Sequence, residues 1–75
     1  MHARPAARVV ETARKFSATL VFTHGNVRAS AKDLMDLLYL AAAGGSELRL
    51  EADGADAEAA VLALEAVFEA MGDDP

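Results

Sequence analysis

The sequence predicts an α+β domain, a two-layer open-faced sandwich with helices covering one face of an antiparallel sheet. Three observations predict it. Apolar residues recur at helical spacing in three separate stretches. Shorter stretches between them are rich in β-branched residues or alternate in polarity. The resulting order is helix, strand, strand, helix, strand, helix, and such elements bury their apolar sides only by packing against one another. At 75 residues, 53% hydrophobic and 25% charged, residues 1–75 are expected to form one soluble domain around one core.

From Pro5 to Phe16, Ala6, Val9, Val10, Ala13 and Phe16 share one side of a helix, and Arg8, Glu11, Arg14 and Lys15 fall largely on the other. Pro5 suits the first turn, where a backbone N–H has no intrahelical partner to lose. The stretch "ATLVFTH" reads as a strand, "GN" at 25–26 as a turn and "VRASA" as the returning strand, together a β-hairpin. "KDLMDLLYLAAAGG" predicts a short helix with Asp33 as N-cap or first-turn acid and Gly44-Gly45 as its stop. In "SELRLEA", Leu48 and Leu50 alternate inward with Glu47, Arg49 and Glu51 outward, as in a half-buried strand. After the "DGAD" turn, Asp56 is expected to cap a last helix with Val61, Leu64, Phe68 and Met71 on one face and Glu58, Glu65 and Glu69 outside. The acidic end through Pro75 is expected to fray.

Composition excludes several chemistries. Cysteine is absent, which removes thiol catalysis, disulfides and Cys-ligated zinc and suits a reducing compartment. No apolar run reaches the length of a membrane span, and no charged-then-apolar leader opens the chain. A cytoplasmic protein with no membrane contact is expected. The net charge of −5 hides a division: residues 1–32 hold six basic groups against Glu11, and residues 33–75 hold eleven acids against Arg49. A dipolar molecule results, able to attract an anionic ligand or an acidic protein face to its basic side. Six dispersed basic groups with few aromatic residues do not make a nucleic-acid surface.

The chemistry concentrates at the start of the first helix. His2 stands just before it, where unpaired N–H groups and the positive dipole end disfavour imidazolium and favour a neutral, nucleophilic ring. The same N–H groups can receive a phosphate, and Arg4 adds a planar fork of donors suited to phosphate oxygens. Ala3 and Pro5 complete the turn. His24, beside Gly25, is expected to be a solvated turn residue, and two histidines so far apart make a weak metal case.

"HARPA" resembles the active-site signature of the histidine-containing phosphocarrier (HPr) family of the bacterial phosphotransferase system. Without a gap from His2, the chain is also similar to that family in "ETARKF", the hairpin, "ASAK" and "EADGADAEAAV". The resemblance implies an HPr-like sandwich and a carrier that holds a phosphohistidine rather than a turnover enzyme. It would accept the phosphoryl group on His2, through Nδ1, from enzyme I charged by phosphoenolpyruvate, and deliver it to enzyme IIA proteins in sugar transport. Arg4 would steady the phosphoryl oxygens. No metal and no cofactor is expected. The nitrogen-related branch of the same system is a second reading, which "MHARPA", "LLYLAAAGG" and "GDDP" also resemble; a third is an HPr-like interaction module without transfer activity.

The second helix is apolar nearly all round. Leu34, Leu37 and Leu40 can face inward, which leaves Met35, Leu38 and Tyr39 as an outward patch; the family docks its partners here, and Leu34, Met35, Leu38 and Tyr39 are the expected partner-binding set. At the helix start the family often has a serine phosphorylated by a regulatory kinase, and the gap-free reading places Asp33 there. Serine-based control is therefore expected to be absent. In the family a first strand precedes the histidine at the sheet edge; relative to that pattern this chain reads as N-terminally truncated, with three strands. An upstream start is the expected explanation. For the chain as given, self-association is expected, as a homodimer or by strand exchange through the bare edge.

Overall fold

The computed structural model describes residues 3–42 and 48–72, with side chains from Pro5 to Ala42 and from Leu48 to Ala70. Met1, His2, the side chains of Ala3, Arg4 and Met71, the Gly44-Gly45 stop, Ser46, Glu47 and the acidic end lie outside the described residues. Among the described residues six elements follow in the expected order: α1 (Ala3–Ala13), β1 (Thr19–His24), β2 (Val27–Ser30), α2 (Leu34–Ala42), β3 (Arg49–Asp53) and α3 (Ala57–Gly72).

α1 buries Ala6, Val9, Val10 and Ala13, the stripe its helical spacing implies, and holds Pro5 within its first turn. It ends earlier than Phe16. Lys15 N–H donates to Thr12 O at 3.1 Å and Phe16 N–H to Ala13 O at 3.2 Å, so the last turn tightens to i→i+3 bonds before the chain leaves for the sheet.

The antiparallel sheet has the order β2-β1-β3. β1 is central, pairing Phe22 with Ala29 on one side and with Leu50 on the other. Leu20, Phe22 and Ala29 are buried, and Leu50 and Ala52 pack against the same cluster. The alternate residues occupy the other face, where Thr23 lies between Arg28 of β2 and Arg49 of β3 and Val21 lies opposite Glu51. The hairpin turns on Gly25-Asn26, with Gly25 at φ 59°, as a two-residue turn needing positive φ at its first central position requires. Leu48 departs from expectation. It precedes β3 and is 42% exposed, and the inward positions of β3 are Leu50 and Ala52.

Helices cover one face. α3 contributes Ala60 and Leu64, both fully buried, with Val67 and Phe68 packed beside them. The Phe68 ring meets Phe22 edge to face, centroids 5.7 Å apart at 89°, an arrangement worth about 0.5–1.5 kcal/mol beyond area burial. α2 inserts Leu37 and Leu40. No polar or charged side chain among the described residues is buried, so the core they form is apolar.

Candidate functional site

The chemistry expected at the start of α1 depends on how that helix is held. Its apolar stripe seats it on the core, and small residues at Ala6 and Ala13 permit close approach to α2 and α3. Its other end is tied down twice. Lys32 Nζ donates to Phe16 O at 2.7 Å and Arg14 Nε donates to Lys32 O at 2.9 Å, a reciprocal clasp between the end of α1 and the loop entering α2. A cation at the C-terminal end of α1 also opposes the partial negative charge there. The first-turn N–H groups at the opposite end have no intrahelical acceptors.

Asp56 forms the second tie. It occupies the N-cap position of α3, and its carbonyl accepts from Ala60 N–H at 3.0 Å. Its carboxylate, expected to cap α3, instead accepts from Ser17 N–H at 2.9 Å, Ala18 N–H at 2.8 Å and Ser17 Oγ–H at 3.4 Å. The segment between α1 and β1 outcompetes the helix's own donors because it crosses directly above the α3 entry. The Ser17 amide, reinforced by the Ala18 amide, Asp56's own amide and the Ser17 hydroxyl, holds the Asp56 carboxyl below its usual range against the opposing effect of burial. Gly54 lies in the same crossing, with φ 146° and a backbone so close that a Cβ would stand 2.8 Å from Ala18 Cα.

At the start of α2, Asp33 is the N-cap. Its Oδ1 accepts from Asp36 N–H at 3.1 Å and its carbonyl accepts from Leu37 N–H at 3.1 Å. Asp36 reaches back past the cap, its Oδ2 accepting from the amide of Ser30 at the end of β2 at 3.0 Å. α2 then presents Met35, 72% exposed, and Tyr39, 68% exposed. Leu38 and Leu34 are half-buried and pack against the core, so the exposed patch is narrower than the sequence pattern implies.

Of the expected site residues, the structure places Ala3, Arg4 and Pro5 in the first turn of α1 by backbone, while His2 lies outside the described residues. His24 is half-exposed at the end of β1 and engaged in a contact of its own. Among the described residues no group of three or more His, Cys, Asp or Glu is arranged for a metal ion, and no helix is long and apolar enough to cross a membrane. Sequence reasoning missed both ties on α1. Neither Lys32 nor Asp56 carries a local signal for a carbonyl or amide partner on another element.

Known proteins are similar to this chain in sequence and in fold. The family model for the PTS HPr component phosphorylation site matches residues 1–70. The chain is 39% identical over 69 residues to the phosphocarrier protein HPr of Treponema pallidum, covering 92% of this chain and 78% of that one. It is 43% identical over 68 residues to the HPr of Haemophilus influenzae, covering 91% and 80%. Among solved structures, an HPr dimer from Thermoanaerobacter tengcongensis superposes with a TM-score of 0.84 at 38% identity, covering 95% of this chain and 82% of that one. Fold and sequence together define a small phosphocarrier of the phosphotransferase class. The chain belongs to the HPr family.

Proposed function

We propose that this protein carries a phosphoryl group on His2 Nδ1 in the cytoplasm, receiving it from enzyme I and passing it to enzyme IIA proteins of the sugar branch. The observation that supports this reading is the family match to a phosphorylation site over residues 1–70, with "HARPA" running into the first turn of a helix anchored at its far end. In the transfer, the lone pair of Nδ1 attacks the donor's phosphorus, the bond from phosphorus to the donor nitrogen breaks, and the electron pair stays on that nitrogen. The first-turn N–H groups and the Arg4 guanidinium supply donors for the phosphoryl oxygens. Met35 and Tyr39, flanked by Leu34 and Leu38, form the partner-docking patch. Asp33 occupies the position of the family's regulatory serine; lacking a hydroxyl, it takes no phosphate from a serine kinase.

The test is incubation with phosphoenolpyruvate and enzyme I. The expected result is an acid-labile, base-stable phosphate on the intact protein that is lost in His2→Ala. An unlabelled intact protein refutes carriage.

A further inference from the structure

We infer that the face of the sheet opposite the helices, at its hairpin end, holds a binding site for a small phosphate monoester, separate from α1. Two adjoining cavities of 370 and 420 Å³ open there and share Thr23, Gly25 and Arg49 in their walls. The strand register explains the concavity. Thr23 is the short residue of a row whose flanks are the two arginines, Arg28 on β2 and Arg49 on β3. Two arginines thus flank a hydroxyl in the register, the Arg28 side chain reaching over β1 towards Glu51 of β3, and the turn at Gly25-Asn26 closes one end.

The two guanidiniums are differently prepared. Arg28 Nη1 donates to Glu51 Oε2 at 2.9 Å, which orients the fork while leaving its other N–H donors open. Arg49 makes no hydrogen bond or ion pair among the described residues, and it lines both cavities. Among the described residues that line the cavities, Arg28 and Arg49 against Glu51 leave one positive charge in excess, within a molecule whose net charge is −5. Planar guanidinium forks match tetrahedral oxyanions bidentately, while Thr23 and Asn26 can donate to further oxygens and Glu51 can accept from a ligand hydroxyl. The cavities exceed a bare phosphate and admit its small organic ester. With both arginines solvent-facing, binding is weak, on the order of millimolar at low salt.

The experiment is an amide NMR titration of the full chain with glycerol phosphate, with inorganic phosphate as the second probe and sodium chloride at matched ionic strength as control. Expected are saturable shifts at Thr23, Gly25, Asn26 and Arg49 with glycerol phosphate, at least threefold tighter than with inorganic phosphate. In Arg49→Ala these shifts cease to saturate, and Arg49→Lys binds at intermediate strength because it keeps the charge and loses the fork. Thermal unfolding of each variant confirms the fold. Shifts confined to the first turn of α1 report the phosphoryl site and overturn this one, as does binding that survives Arg49→Ala or is reproduced by chloride. Loss of His2 carriage leaves these outcomes unchanged, so the two readings fail separately.

Discussion

Replacing Gly54 with alanine tests the crossing of the β3–α3 turn over the start of β1. Gly54 sits at φ 146°, a conformation that L side chains rarely adopt, and holding a non-glycine residue in such a region costs about 1–3 kcal/mol. The added Cβ would also stand 2.8 Å from Ala18 Cα and 3.0 Å from Ala18 Cβ. Neither is the end of a flexible side chain, so backbone must move, at about a further 1–3 kcal/mol. The total, about 2–6 kcal/mol, compares with roughly 4–11 kcal/mol for a domain of this length at usual stability per residue. Gly25→Ala is the control: its φ of 59° makes it pay the backbone term, about 1–2 kcal/mol, but nothing lies within 4 Å of the new Cβ. Urea unfolding followed by circular dichroism is expected to place Gly54→Ala at least ~1 kcal/mol below Gly25→Ala, with Tm lower by about 10 °C or more than in the parent. Because Ala18 donates to Asp56, the Ser17 and Ala18 amide resonances should shift as well. Equal losses in the two variants would refute the close approach.

Asp56 should leave a signature in the pH dependence of stability. Its folded pKa is lowered from 3.8, so its contribution is present above the unfolded pKa and disappears as pH falls through the folded value. Asp56→Ala is expected to lower Tm near neutral pH and to lose less stability than the parent on acidification from pH 5 to pH 2; parallel acid limbs would refute the tie. Asp33→Ala should cost about 1 kcal/mol through loss of the cap, with amide exchange accelerated at Asp36. Leu64→Ala, at a fully buried site, should cost about 2–5 kcal/mol, whereas Leu62→Ala, at a site 61% exposed, should stay within about 0.5 kcal/mol of the parent. Chemical denaturation checks both.

What could be read from the sequence follows from how local each signal is. The apolar stripe of α1, the Gly25-Asn26 turn and the Asp33 cap each depend on neighbours a few residues away, and each is found where those neighbours imply; on α3, Leu64 and Phe68 face the core as expected, but Ala60 and Val67 complete the face in place of Val61. Leu48 misled because alternation identifies a face only within a strand, and β3 begins one residue later. Asp56 misled for a different reason. A carboxylate just before a helix has donors available at home, and nothing in "DGAD" shows that Ser17 and Ala18, nearly forty positions earlier, will lie closer. The Lys32 clasp escaped notice likewise, since a lysine entering a helix looks solvated until Phe16 O is placed against it.

These long-range ties bear on the candidate site more than the local signals do. "HARPA" states a chemistry, but helix propensity alone does not fix where α1 begins relative to the patch on α2. That relation is set at the other end of α1, where Lys32 and Arg14 join it to the entry of α2 and Asp56 joins the following residues to the entry of α3. All three attachments are to backbone groups, the carbonyls of Phe16 and Lys32 and the amides of Ser17 and Ala18. They therefore constrain the path of the chain rather than any one side chain. The placement of α1 against α2 and α3 thus draws on residues at the end of the helix opposite its first turn.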